Sequence, residues 1–398
     1  MNNKSFYSLV MTRLTRNIAD SLFYMLAIWS LSEKSAFLTS LAMLCFTIPE
    51  NIIIFFGPFI DRYNHKKILL FNTLAQVVLI IVLTLLLAFN CLTTIPLLVI
   101  IFFSTLFGNL SYEVEDTIVP SIVTKEKLVK ANSILEISYT ITDSIFNGVC
   151  GFLIATFMAF TLYKFNIILF AIPVIFLKNI HLPQRTNEES EVAYSFAEYK
   201  TDLLAGVKIL FEKKVRNILL PLVLINFCLV MSSVAMPFLS RKIEDTAIVF
   251  GSLIVVKGVA GLLGAFLINA FEKHVKLETA IGIGVLMQGF TWLIMILGID
   301  NNIFLVVMFF LSYLFFGATN ILFTTFFQVI IPSEFLGRAN TAVDAMITCA
   351  MPLGTLLAGF LLEKGTTLSI VLLPYGVAST LIGVYYLLQC RRGVINNG

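Results

Sequence analysis

The chain has 398 residues, 58% of them hydrophobic and only 13% charged, with a formal net charge of +3. Soluble globular chains carry about 25% charged residues, so water is not the main solvent here, and the small, scattered basic excess gives nucleic acid no patch to bind. The six cysteines (Cys45, Cys91, Cys150, Cys228, Cys349, Cys390) stand apart with no CxxC or CxxH spacing, which argues against a disulfide framework or a metal site.

Apolar runs of about 20 residues, long enough to cross a hydrocarbon core, recur along the whole chain. The first extends from Phe6 to Trp29. It holds Arg13, Arg16 and Asp20 and lacks a small-residue cleavage site, so it reads as a retained helix rather than a removable signal. Five more runs follow: Phe37 to Ile60, Lys67 to Phe89, Ile95 to Ile118, Ser133 to Met158 and Thr161 to Lys178. A polar stretch from His181 to Arg216 then intervenes. It contains the acidic run NEESE and a segment, Ser195 to Lys214, whose apolar residues recur at helical spacing, as in a helix lying on a membrane surface. Six further runs complete the chain: Asn217 to Leu239, Ala247 to Phe271, Glu278 to Ile299, Ile303 to Phe327, Arg338 to Leu361 and Leu368 to Cys390. The expected fold is an all-α integral membrane protein with twelve transmembrane helices in two six-helix halves, 1–180 and 217–398, joined by a connector at 181–216.

Most of the 27 Lys and Arg residues fall on the side that holds the N-terminus, including Arg62, Lys66 and Lys67, then Lys125, Lys127 and Lys130, and the connector. The opposite side keeps Lys34, Lys164, Arg241, Lys242 and Lys364. Basic residues accumulate in cytoplasmic loops, so both termini and the connector are expected in the cytoplasm of a cell with this protein in its cell membrane. The halves also share a short repeat. Glu126 to Ser133 reads EKLVKANS and Glu334 to Thr341 reads EFLGRANT, each at the entrance of the fifth span of its half. The same register pairs Glu136 with Asp344 and Gly151 with Gly359, as a parallel duplication would.

At 1.5 Å per residue, Asp20 lies about 20 Å into the first span, Glu50 about 16 Å from the inner end of the second, and Asp143 about 15 Å into the fifth. A carboxylate at that depth costs several kcal/mol unless protonated, paired or hydrated, so all three are candidates for proton coupling or substrate contact. Two also have a purely structural reading: Asp20 can balance Arg16 one turn earlier with Asn17 alongside, and Asp143 can satisfy Thr140, Ser144 or Asn147. Glu50 reads as functional, because it has no basic neighbour on its own helix and follows Pro49, whose missing N–H can leave a carbonyl open to ligand or ion. Lys257, a base well inside a C-terminal span, is expected to neutralise an acid or to bind an anionic group. Glu113, Glu136 and Asp344, near the inner ends, read as capping or hinge-side groups.

The inner end of the second span carries GPFIDRYNHKK, with Gly57, Asp61, Arg62, Lys66 and Lys67 at the spacing GxxxDRxxxKK. This resembles the loop motif GxxxDRxGRRK of the major facilitator superfamily. Asn64 stands at the second glycine, and asparagine also enters left-handed turns. The resemblance implies a conformational latch: Asp61 facing the start of the eleventh span near Arg338, and Arg62 and Lys66 pairing with Glu115 or Asp116. It further implies alternating access, no cofactor beyond a proton gradient, and a monomer whose partners are the bilayer and a small-molecule substrate.

Within the superfamily, PSIVTKEKLVKANS and IPSEFLGRANT are similar to the macrolide-efflux branch of drug and proton antiporters. The fifth span departs from the antiporter signature, because DSIFNGVCGF keeps Gly148 and Gly151 but no proline, whereas MPLGTLLAG in the eleventh span keeps Pro352, Gly354 and Gly359. An apolar cavity with one or two carboxylates suits efflux of an amphipathic or cationic molecule. Import of a solute, and a sensor or immunity role without transport, remain the alternatives. No GxxxxGK[ST] segment supports an ATP-driven pump, and the three histidines, His65, His181 and His274, form no catalytic or metal pattern.

Overall fold

The computed structural model describes residues 4–53, 64–124, 127–180, 213–271, 275–331 and 336–391. The first half contributes helices α1 (Lys4–Ser32), α2 (Ala36–Ile52), α3 (His65–Ala88), α4 (Thr94–Ile122), α5 (Leu128–Thr156) and α6 (Ala159–Lys178). The second contributes α7 (Lys213–Ile243), α8 (Ala247–Phe271), α9 (Leu277–Leu297), α10 (Asn302–Ile330), α11 (Leu336–Thr348), α12 (Met351–Glu363) and α13 (Leu368–Arg391). Among the described residues, nine spans are long and apolar enough to cross a membrane by length and composition. The architecture is the expected one of twelve transmembrane helices in two six-helix halves.

The helix faces show which solvent the chain is built for. On α3, the exposed stripe is Phe71, Leu74, Val78, Ile81 and Leu85, while the buried face holds Asn72, Thr73, Gln76 and Thr84. A soluble helix has the opposite arrangement. Polar groups turned inward find partners that lipid cannot offer, and the apolar stripe faces the acyl chains.

Helix ends follow local chemistry. Ser35 caps α2 by accepting from the Leu38 N–H at 3.2 Å, and Asn301 caps α10 by accepting from Phe304 N–H at 3.1 Å. Asn64 caps α3 in the same way, accepting from Lys67 N–H at 3.2 Å with φ −65°. The left-handed turn that its place in the motif suggested is therefore not adopted, because the side chain is engaged in capping. Left-handed residues do end α3 and α12. At Asn90 (φ 54°) and Gly365 (φ 79°), the following N–H reaches back to Leu86 O at 2.8 Å and to Leu361 O at 3.0 Å, which satisfies carbonyls the helix leaves open.

The helices gather into two compact units, one built on α1–α6 with residues 245–252, the other on residues 213–244 and 253–391. Both repeat one packing pattern: the first helix of the half lies against the fifth and sixth, and the third against the fourth and sixth. In the second unit, α9 and α13 cross on glycines. A Cβ added at Gly289 would stand 2.4 Å from Thr380 N, and one at Gly383 2.4 Å from Leu286 N. Small residues let membrane helices approach this closely. The eleventh span is broken between α11 and α12 just before Pro352, which lacks the N–H that would continue the ladder. Its counterpart α5, without that proline, runs unbroken for 29 residues.

Candidate functional site

Helix α1 places Arg13, Arg16, Asn17 and Asp20 on one face by their i, i+3, i+4, i+7 spacing, and α4 places Gly108, Tyr112, Glu115 and Asp116 on one face by an i, i+4, i+7, i+8 spacing. The two faces meet in a continuous polar strip. Arg13 Nε donates to Glu115 Oε2 at 3.0 Å, and its Nη2 donates to Asp116 Oδ1 at 2.7 Å. Arg16 pairs with the other oxygen of Glu115 and also reaches Thr73 Oγ1 on α3 at 3.3 Å. Arg16 and Glu115 are fully buried, and both guanidinium groups lie over the Tyr112 ring at 5.5 and 5.7 Å. Below this strip lies an apolar cluster that includes Phe6, Leu9, Val114, Ile118 and Leu177.

Two cations and two carboxylates thus balance, and the hydrogen-bond partners of the Asp20 carboxylate are uncharged, although the Arg16 charge still acts on it. The Tyr112 hydroxyl lies 2.9 Å from Asp20 Oδ2 and also contacts Asn17 Oδ1. Gln76 Nε2 is 3.4 Å from Asp20 Oδ1 and donates to Ser104 O at 3.0 Å. Gly108 keeps the space beside the carboxylate open, since a Cβ there would lie 3.1 Å from Gln76 Nε2 and 3.7 Å from Asp20 Oδ2.

The remaining candidates lie elsewhere. Glu50 is exposed near the end of α2, after the buried Pro49. Asp143 is exposed on α5, where Asn147 Nδ2 contacts its Oδ1 at 3.1 Å. Lys257 belongs to the second unit and lies 5.5 Å over the Tyr313 ring. Gly57, Asp61 and Arg62, the connector, and the side chains of Arg338 and Glu136 fall outside the described residues.

The expected partners are rearranged in two places. Lys66 does not meet Glu115 or Asp116; its Nζ donates to the carbonyls of Lys178 at 3.1 Å and Ile180 at 2.7 Å, at the C-terminal end of α6, where a helix dipole favours a cation. Lys67 contributes its backbone N–H to the Asn64 cap and is exposed. Arg16, read as a possible local partner for Asp20, is instead bonded to Glu115 across the helix interface. Sequence reasoning missed Tyr112 and Gln76. Their signal was present: each is a polar residue inside an apolar run, and Tyr112 stands one turn before Glu115 and Asp116.

A duplicated, all-helical bundle with its polar groups turned inward is the build of a membrane carrier. The sequence profile of the Major Facilitator Superfamily matches residues 7–355, and the chain belongs to that superfamily. It is a multi-pass membrane transporter and not an enzyme. A comparison with curated protein sequences finds no match. Among solved structures, the chain is similar to the nucleoside transporter NupG, with 14% identity over 98% of this chain and 100% of that one and a TM-score of 0.74. It is similar to a bacterial homologue of the iron transporter ferroportin in an inward-facing state, with 15% identity, coverage of 96% and 98%, and a TM-score of 0.76. A mutant of the peptide transporter POT matches with 11% identity, coverage of 98% and 95%, and a TM-score of 0.73. At these identities the likeness concerns the fold.

Proposed function

We propose that the chain is a proton-coupled exporter of an amphipathic or cationic small molecule, working by alternating access as a monomer in the cell membrane, with both termini in the cytoplasm. The basic residues on the N-terminal side support that orientation. The phrases similar to the macrolide-efflux branch support export of a drug-like molecule, whereas the fold does not choose a cargo: its solved relatives are described as nucleoside, iron and peptide transporters.

The observation that carries the proton coupling is a count of hydrogens around Asp20. A phenol has one proton, yet the Tyr112 oxygen touches acceptor oxygens of both Asn17 and Asp20. With Asp20 protonated, its hydroxyl donates to Tyr112 and Tyr112 donates to Asn17, so both contacts become hydrogen bonds. With Asp20 ionised, a half-turn of the Asn17 amide brings Nδ2, which has no partner among the described residues, to donate to Tyr112, and the phenol proton turns to Asp20. The site can therefore hold the carboxylate in either state at the cost of one amide rotation. Asp20 takes up or releases the proton, and the Arg13, Arg16, Glu115 and Asp116 strip fixes α1 against α4 around it. The motif residues Asp61 and Arg62 act as the latch between alternate states.

Substrate-induced proton movement in liposomes tests this reading. Wild-type protein is expected to move protons against substrate, and Asp20→Asn to lose that movement while still exchanging substrate downhill. Unchanged coupling in the variant overturns the assignment. A second reading, proton-coupled import, draws on the unbroken α5, which lacks the proline of the antiporter signature; the direction of substrate accumulation with and without a protonophore separates the two.

A further inference from the structure

The second half holds a partly open cavity of its own, about 190 Å³ in volume, between α7, α9, α10 and α11. We propose that this cavity binds the ammonium end of a small organic cation. The proposal deepens the exporter reading by naming the chemical class of the cargo.

The lining chooses its guest by charge and by ring faces. Among the described residues that line the cavity, Asp344 is the one with a charge, and no Lys or Arg faces it. The hydroxyl protons of Thr319 and Thr324 are committed to the carbonyls of Phe315 at 2.6 Å and Asn320 at 3.1 Å, so these groups offer only lone pairs. Asn226 spends one amide hydrogen on Leu222 O at 2.9 Å, and Gln288, almost fully buried, spends one on Tyr375 Oη at 2.7 Å, so each amide keeps one N–H and its carbonyl oxygen, and the Asn320 amide lines the cavity as well. The amides can serve a donor or an acceptor; the Asp344 carboxylate sets the sign, and it favours a positively charged N–H donor.

The rest of the wall is apolar and aromatic. Phe316, Phe323 and Phe327 line the cavity, and the faces of such rings attract a cation within about 6 Å of their centroids. An anion would meet Asp344 and the ring faces unfavourably. An arylalkyl ammonium matches both parts, with its charged end at Asp344, which is exposed, and its ring among the phenylalanines.

The test uses purified full-length protein in nanodiscs and three probes of one shape: phenethylammonium, 2-phenylethanol and phenylacetate. Calorimetric titration is expected to show saturable binding of the ammonium at least tenfold tighter than of the alcohol, with no binding of the acid. Asp344→Asn is expected to weaken ammonium binding at least tenfold and Asp344→Glu to retain most of it. Equal affinity for ammonium and alcohol in the wild type overturns the proposal without any variant, so a misfolded Asp344→Asn does not protect it. Unchanged affinity in a folded Asp344→Asn overturns it as well. Liposomes keep this result apart from the exporter reading. Selective binding with no proton-linked export of phenethylammonium leaves the site standing and removes the exporter reading for this class. Export that Asp344→Asn leaves at the wild-type rate removes the site and leaves the reading.

Discussion

The two halves of this transporter share one packing pattern and fill it with different chemistry. In the register set by EKLVKANS and EFLGRANT, residues 208 apart correspond, so that Ser104 matches Ser312, Tyr112 matches Asn320, Glu115 matches Phe323 and Asp116 matches Thr324. Each of these serines lies against a buried glutamine of the third helix of its half, although the glutamines stand one helical turn out of that register: Gln76 Nε2 donates to Ser104 O, and Ser312 Oγ donates to Gln288 O at 3.0 Å. On the α4 side of this comparison a buried ion-pair strip occupies the interior. On the α10 side, phenylalanine and short polar residues replace the charges, and a cavity with a single carboxylate among its described residues is left. The difference teaches how duplication divides labour. Buried ion pairs contribute little net stability but tolerate only one geometry, which suits a fixed frame around Asp20, whereas an uncharged wall leaves room for a guest.

The sharpest way to break the comparison is to remove the charge that only the first half depends on. Glu115→Gln would leave Arg13 and Arg16 facing each other around a neutral amide. Removing one partner of a buried pair costs about 3 to 5 kcal/mol, so thermal unfolding in detergent is expected at a much lower temperature, with reduced yield. Arg16→Gln combined with Glu115→Gln is expected to recover part of the loss. Phe323→Ala at the matching position of the second half should instead cost what a buried phenyl ring costs, without any rescue by a charge change. A double variant no better than Glu115→Gln alone would show that the strip does not behave as a coupled unit.

Next in size is an effect on coupling rather than on folding. Asp20→Asn retains shape and part of the hydrogen bonding but cannot exchange a proton. Uphill transport driven by a pH gradient is expected to fall at least tenfold, with stability within about 1 kcal/mol of wild type, the net worth of one hydrogen bond. Glu50→Gln is the companion measurement. If it alone abolished coupling while Asp20→Asn did not, the proton site would move to α2.

Much of this was legible in the sequence, and the reason is lipid. Hydrocarbon demands long apolar runs, so the spans, the duplication and the family motif stood out before any packing was known. Asp20 stood out for the same reason, as a carboxylate where one is costly. Partners were harder, because they are chosen across helix interfaces. Nothing along the chain says that Arg16 turns to Glu115, 99 residues away, rather than to Asp20 one turn along its own helix. Lys66 was misassigned because a loop motif suggests acidic partners, whereas the nearest strong acceptors are the open carbonyls at the end of α6. Asp344, read as a hinge-side cap, became a cavity residue only when α7, α9 and α10 packed beside α11.

The Lys66 contact gives a smaller, separate test of the first half. Its ammonium ties the start of α3 to two carbonyls at the end of α6, an arrangement found only once those helices have packed. A cation near a helix C-terminus contributes about 0.3 to 1 kcal/mol at exposed positions. Lys66→Ala is therefore expected to lower stability by that amount, and Lys66→Arg to restore it. If Lys66→Ala instead slowed exchange between inward-open and outward-open states at unchanged stability, the latch would extend to this residue.

The smallest effects come from the matched serines, and they discriminate most finely between the halves. Ser312 Oγ is a donor to Gln288 O, so Ser312→Ala removes a made hydrogen bond in a buried place and is expected to cost about 1 kcal/mol. Ser104 occupies the same register position and is equally buried, but its hydroxyl has no partner among the described residues; only its backbone carbonyl serves Gln76. An unsatisfied buried hydroxyl is itself unfavourable, so Ser104→Ala is expected to leave stability unchanged or to raise it slightly. The Gln76 contact survives in that variant because the backbone oxygen is untouched. Thermal unfolding of the two variants under identical conditions decides the matter. Equal losses would mean that the Ser104 hydroxyl has a partner in the membrane and that the two crossings are chemically alike. Unequal losses in the stated order would show that the duplication kept the helix crossing while changing which serine atom makes the bond.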